Sequence, residues 1–339
     1  MSLAGPKRLP LGLGYLIWGG IVKSFIIAVA LVLAGILGVG ACSRPRTSTA
    51  SEHTRSRVPA AAVPVLLYHG ITRSGGSDIS QASDGGGVSL AAFKVQLAYL
   101  HDRGYRTISP AQYVGWVEGK HLALPPKPVL ITFDDGQASA VRAQPVLRRY
   151  GFDAVMYVVS GFADGAYGRF YLRWSGLAAL ARDGWYMQFH AGPCGHGYIS
   201  PDTPYHCAAG LAPATQGAKI GHRFYPQPFG QAPGVYHARV KADVVTGLNA
   251  MRSAFGYPAN WHSVTFAVPW DDWGQPATSD QPWLARYFAQ QFPVVFVQGS
   301  YPGNHFAWAH HMRYRFQVDN LTTFTQFRVA LRDSRFMKP

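Results

Sequence analysis

The run Val129-Leu130-Ile131-Thr132-Phe133-Asp134-Asp135-Gly136 decides how this chain is read. Its apolar and β-branched residues predict a strand buried on both faces, and such strands belong to parallel sheets covered by helices. The two carboxylates and the glycine then fall at the strand's C-terminal mouth, the usual functional face of a parallel sheet. Adjacent carboxylates there can divide labour: one binds a cation, whose charge keeps both ionised, and the other takes a proton from water. The same residues also make an ordinary strand-ending turn, since Asp and Gly are common turn formers.

Outward from this run, short apolar stretches alternate with helical periods from Val63 onward, the order of a wound α/β domain. Strands are expected at Val65 to Tyr68, Tyr105 to Ile108, Val129 to Phe133, Ala154 to Val159, Tyr186 to Phe189, Ser263 to Ala267, Val294 to Val297 and Tyr314 to Val318. Ser89 is placed to cap a helix whose Phe93, Leu97 and Leu100 share a face, and Phe324, Phe327 and Leu331 repeat that spacing. These elements predict an α/β fold: an incomplete or distorted (β/α) barrel of about seven to eight strands. A chain of 339 residues suits one large domain, here 63–339, and shows no internal repeat.

The N-terminus has a different character. Lys7, Arg8 and Lys23 precede an uncharged apolar run from Phe25 to Ala41 that stops at Cys42, as an export signal would. Val39-Gly40-Ala41-Cys42 is similar to a bacterial lipobox, which makes Cys42 the expected lipidation site. The alternative for residues 1–42 is an uncleaved membrane anchor, with Leu11 to Val22 adding length. Either way the rest of the chain is expected outside the cytoplasm, tethered to the membrane. Residues 43–62 are rich in Ser, Thr, Arg and Pro and read as a flexible tether.

The charge balance is 31 basic against 17 acidic side chains, or +14. That balance permits contact with anionic lipid, wall polymer or nucleic acid, but no Lys/Arg run singles out nucleic acid, and none is expected as a partner.

Two further clusters carry chemistry. Tyr186-Met187-Gln188-Phe189 leads into His190-Ala191-Gly192-Pro193-Cys194-Gly195-His196, so a Gly/Pro bend lies between two imidazoles. Such a bend can turn both rings onto one cation, and with Asp135 they make a three-ligand site that leaves a position for water. Val65-Leu66-Leu67-Tyr68 ends in His69, whose near-neutral titration suits protonation of a leaving amine. A capping or core role for His69 is equally compatible with its position.

In order and content, these clusters resemble the polysaccharide deacetylase family, carbohydrate esterase family 4, and in particular its circularly permuted poly-N-acetylglucosamine deacetylase branch. Thr132-Phe133-Asp134-Asp135-Gly136 matches the family's most specific motif, Tyr68-His69 its relocated histidine motif, and His190 and His196 its metal-binding pair. Phe266-Ala267-Val268-Pro269-Trp270 is similar to its Pro-Tyr motif. The resemblance implies a divalent metal, usually zinc, on Asp135, His190 and His196, with Asp134 as general base and His69 as general acid. It also implies an oxyanion contact from the backbone N–H of Trp270.

Several positions depart from the family pattern. The His pair is spaced more widely than in most members, Gly70 stands where the branch often has Asp, and Trp270 replaces Tyr. The Arg that often orients the base ahead of the Pro-Tyr motif is missing, because Thr265 and Phe266 occupy that region. Arg313 or Arg315 on the last strand is the expected substitute, with Arg315 taken as a substrate-side or oxyanion residue of the site.

Cys194 and Cys207 are expected to form a disulfide worth about 3 kcal/mol by loop entropy. Free thiols, or Cys194 as a metal ligand, are the other readings. The aromatic-rich stretch from Gly192 to Gly234 offers rings for stacking on sugars, or else packs into a small core of its own. The expected function is therefore a monomeric, metal-dependent hydrolase that removes N-acetyl groups from an extracellular or cell-wall N-acetylglucosamine polymer. An O-acetyl carbohydrate esterase and a catalytically inactive carbohydrate-binding scaffold are the competing expectations.

Overall fold

The computed structural model describes residues 62–73, 87–165, 168–193, 198–199, 221–222, 232–269, 281–298 and 311–336. All of them belong to one compact unit, Ser56–Pro339. The lipidation or anchor segment, with Cys42, and the tether up to residue 61 lie outside the described residues. Among the described residues no helix is long and apolar enough to cross a membrane.

The sheet is built from β1 (Val65–Tyr68), β2 (Pro128–Phe133), β3 (Val155–Val159), β4 (Tyr186–Ala191), β5 (Thr265–Ala267), β6 (Val294–Val297), β7 (Met312–Tyr314) and β8 (Phe316–Gln317). Its order is β7-β6-β5-β4-β3-β2-β1-β8, with every pairing parallel. Because β7 and β8 are consecutive in the chain, the two ends of this order meet. The first half of the last strand pairs with β6 (Val295 opposite Met312) and the second half with β1 (Leu66 opposite Phe316). The sheet is thus a nearly closed, distorted (β/α) barrel, as the strand pattern predicts, and Arg315 sits at the seam.

Alternation along the strands sorts the side chains. Leu66, Tyr68, Val129, Ile131 and Phe133 point outward into the larger core, where they meet the helices. Val65, Leu130, Val155, Tyr157, Ala267 and Phe296 point inward and form a second core. Helix α1 (Leu90–Asp102) lays Phe93, Leu97 and Leu100 on the outer face and is capped by Ser89, which accepts from the Ala92 N–H. Helix α2 (Pro110–Val117) starts in a Ser109/Gln112 capping box and packs Tyr113 and Trp116 into the inner core.

The strand expected at Ser263 to Ala267 shortens to Thr265–Ala267, and three others depart further from their expected limits. Tyr105 to Ile108 yields only Arg106–Thr107, beside the start of β2, because Gly104 at φ +78° and the Tyr105 N–H bonded to Leu100 O are used in ending α1. The strand at Tyr186 runs on through Ala191, so His190 lies within it rather than after it. Tyr314 to Val318 is divided at the seam into β7 and β8.

Beyond the barrel, α3 (Gln144–Tyr150), α4 (Ser160–Ala163) and α5 (Trp174–Arg182) follow β2 and β3. Helices α6 (Pro233–Phe255), α7 (Gln281–Gln291) and α8 (Phe324–Ala330) follow β4, β5 and β8. Of the aromatic-rich stretch, Tyr198–Ile199 and Gly221–His222 form a small antiparallel pair. The stacking candidates there lie outside what is described of the side chains.

Candidate active site

The same alternation builds the site. Thr132 and Gln188 point inward on β2 and β4, so Asp134 and His190, each two residues on, also point inward at the C-terminal mouth. His69 stands in the same relation to Leu67 on β1. Asp134 keeps its place because its N–H still bonds Tyr68 O at 3.0 Å, prolonging the β1–β2 ladder by a residue.

Asp134 is 1% exposed and Arg315 fully buried, and the two meet in a bidentate pair, Nη1 to Oδ1 at 2.7 Å and Nη2 to Oδ2 at 2.6 Å. Such a fork is the strongest way to hold a carboxylate in one plane. The guanidinium also donates to Thr132 Oγ1 at 3.3 Å and lies 5.2 Å from the centre of the Tyr157 ring. Burial by itself would raise the Asp134 carboxyl. The charge of Arg315, then that of His190, the Arg315 hydrogen bonds and His69 outweigh burial and hold it below the ordinary carboxylate range. Of the two arginines expected as substitutes for the missing one, Arg315 is the one shown bonded to Asp134. Arg313 instead donates to Met312 O at 2.7 Å.

Asp135 follows with φ +69°, the only described non-glycine residue in the left-handed region. This backbone turn, continued by Gly136 at φ +74°, brings the Asp135 carboxylate to His190 instead of continuing the strand. Oδ1 of Asp135 lies 3.3 Å from His190 Nε2, and Oδ2 of Asp134 lies 3.8 Å from the same nitrogen. His190 Nδ1 is 2.7 Å from Ala267 O. A carbonyl only accepts, so Nδ1 carries the proton and Nε2 faces the carboxylates, the orientation that a backbone acceptor behind the ring imposes on a metal-bound imidazole.

Asp135 and His190 therefore fit a divalent cation: a carboxylate oxygen and an imidazole nitrogen side by side, buried, with the ring orientation fixed from behind. His196, the expected third ligand, lies outside the described residues, as do Trp270, Cys194 and Cys207. His69 is half-buried at the mouth, close enough to Asp134 for its charge to act there.

Sequence reasoning missed the polar layer beneath the site. Tyr157 Oη and Thr265 Oγ1 are 2.8 Å apart, and Gln188 Oε1 accepts from the N–H groups of Val264 and Thr265, both at 3.0 Å. Burial pushes the Tyr157 hydroxyl well above the ordinary phenol range, so it stays protonated. The signal was available: Thr132, Tyr157, Gln188 and Thr265 are polar residues at inward positions of otherwise apolar strands.

The family model for polysaccharide deacetylases matches residues 121–275, a stretch that contains Asp134, Asp135 and His190. Over that stretch the chain is similar to polysaccharide deacetylases. YxkH of Bacillus subtilis (strain 168), a protein named as a polysaccharide deacetylase, is 34% identical to this chain over 104 residues. That alignment takes in 29% of the chain and spans about a third of YxkH, 32% of its length.

Among solved structures the domain is similar to a de-N-acetylase from Aggregatibacter actinomycetemcomitans, with a TM-score of 0.55 and 18% identity, covering 79% of the chain and 99% of that one. It is also similar to IcaB from Ammonifex degensii (TM-score 0.53, 21% identity, 80% and 96% covered). The Streptococcus pyogenes deacetylase PplD, solved with acetate, gives a TM-score of 0.52 at 16% identity, with 83% and 100% covered. At these identities the three share the fold.

Proposed function

We propose that this protein is a metal-dependent hydrolase that removes N-acetyl groups from a polysaccharide, with an N-acetylglucosamine polymer as substrate. The observation that carries the reading is the buried group Asp134, Asp135 and His190, with Arg315 clamped on Asp134. One carboxylate is committed to a guanidinium and the other to an imidazole nitrogen, the division of labour that the chemistry needs. The similarity to polysaccharide deacetylases over residues 121–275, and the likeness in fold to a solved de-N-acetylase, support the same choice.

Asp135, His190 and His196 would hold the divalent ion, zinc by resemblance, which when bound supplies Lewis acidity to the acetyl oxygen and to a water. Asp134 takes the proton of the attacking water. It is ionised throughout the neutral range, and Arg315 occupies part of its accepting capacity while leaving lone pairs for that proton. The water oxygen bonds to the acetamide carbon, whose carbonyl electrons move onto oxygen. The backbone N–H of Trp270 is assigned to that oxyanion. When the carbonyl re-forms, the carbon–nitrogen bond breaks and His69 delivers a proton to the sugar nitrogen. Acetate and a free amine leave.

The protein is proposed to act outside the cytoplasm, tethered by lipid on Cys42 or by an uncleaved anchor, as the apolar run from Phe25 to Ala41 supports. Acetate release from N-acetylglucosamine oligomers, set against release from acetylated xylan, tests the activity. Release from the oligomers that stops with chelator and resumes with zinc is expected. Faster release from xylan would make the protein an O-acetyl esterase, and binding without release from either would make it a scaffold.

A further inference from the structure

The barrel end opposite the active site carries a second surface. The C-termini of α1, α3 and α8 all reach this end, and so does residue 62, where the described chain begins: the Val63 N–H bonds Phe336 O just past α8. Exposed cations gather there around half-buried rings. Arg103 and Arg328 both approach the Tyr99 ring, at 5.1 and 6.0 Å, Lys127 approaches Tyr105 at 5.9 Å, and Arg149 approaches Tyr150 at 5.8 Å. Lys127 Nζ also donates to Arg103 O at 2.9 Å, and the His101 ring lies 5.3 Å from that of Tyr150, which joins these groups into one face. The acids at this end include Asp102, which pairs with His101, and Asp333, which pairs with Arg335, together with Asp153 and Asp183.

Basic residues in a last helical turn complement the helix dipole, and that accounts for Arg149 and Arg328. It does not account for Arg106 or Lys127, which lie outside the helices. Nor does it account for the exposed ring of Phe324, which meets Tyr99 at 5.4 Å and is 39% exposed. Cations on long stems, half-sunk tyrosines and an exposed apolar ring on one face match a lipid headgroup region rather than a soluble polyanion.

We infer that this face rests on an anionic membrane surface and so turns the active-site mouth away from the bilayer. The inference builds on the proposed tether, whose chain enters the domain at this same end. The orientation would present the catalytic mouth to polymer lying beyond the lipid.

The test uses the full chain in phosphatidylcholine vesicles with and without phosphatidylglycerol. Flotation reads attachment, and amide hydrogen exchange in peptides covering residues 99–107, 146–153 and 324–332 reads the face. Exchange there should slow by about tenfold in the anionic vesicles alone and recover in high salt. The triple variant Arg103→Glu, Lys127→Glu, Arg328→Glu should lose that protection while it still floats and still hydrolyses soluble oligomers. Flotation with equal exchange in both vesicle types overturns the inference and leaves the tether standing. No flotation in either overturns both. Protection brought about by anionic wall polymer on neutral vesicles, and not by anionic lipid, would assign the face to polymer and overturn the membrane reading.

Discussion

Replacing Arg315 by Met would remove the buried guanidinium while keeping much of its stem volume. The structure sets the size of the effect. Both partners of the Arg315–Asp134 pair are almost wholly out of water, and both oxygens of the carboxylate are engaged, at 2.7 and 2.6 Å. Taking away one member of such a pair leaves a buried charge without compensation, which costs about 3–5 kcal/mol. For a domain of this size that lowers Tm by roughly 6–20 °C, at about 2–4 °C per kcal/mol.

Removing both members behaves differently. The double variant Arg315→Met, Asp134→Leu leaves an apolar pair of similar volume, and its stability is expected within about 1 kcal/mol of the parent. Urea unfolding followed by tryptophan fluorescence measures each member of the cycle, and the coupling should exceed about 2 kcal/mol. A loss below about 1 kcal/mol for Arg315→Met, or a double variant that merely adds the two single losses, would refute the reasoning.

The pH dependence follows from the same pair. Asp134 titrates below its ordinary value in the folded protein, so its contribution to stability is complete above about pH 4, the unfolded value, and fades as pH falls through the lower folded value. Acid unfolding should therefore begin at higher pH in Arg315→Met than in the parent, as circular dichroism across an acid titration would show. Asp134→Asn is expected to keep bound metal and lose turnover by about a hundredfold or more, the scale of a general base, and metal analysis beside an acetate assay separates the two effects. His190→Ala should remove metal as well as activity, which mass spectrometry of the metal content reads directly. At Gly192, an added Cβ would run into the backbone oxygen and the carboxylate of Asp243 on α6. Gly192→Ala should cost about 1–3 kcal/mol and lower metal occupancy, since it displaces the chain just beyond His190.

Much of the barrel was legible because its strands are strongly apolar and its capping chemistry is local. Val65–Tyr68 and Val294–Val297 form as the pattern predicts, and Ser89 caps α1 as its place before the Phe93, Leu97 and Leu100 face requires. What the pattern missed depends on partners far along the chain. Tyr105 looks like a strand residue but is used to end α1, and the last strand looks continuous but changes partners at Arg315. Asp134, Asp135 and His190 could be read from strand ends, since alternation alone points Asp134 and His190 inward. The choice of Arg315 over Arg313 could not, because it turns on the seam where β7 gives way to β8.

The pair that steadies the proposed base joins residues 181 positions apart. Arg315 reaches Asp134 only once the final strand has been laid against both β6 and β1, so completing the barrel and arming the carboxylate are one event. During synthesis the nascent chain carries its carboxylate motif long before the counter-charge exists. A chain clipped ahead of the seam would lose both the barrel closure and the ion pair. The completed ion pair thereby reports that the last strand has been laid down, a dependence written into the order of the strands.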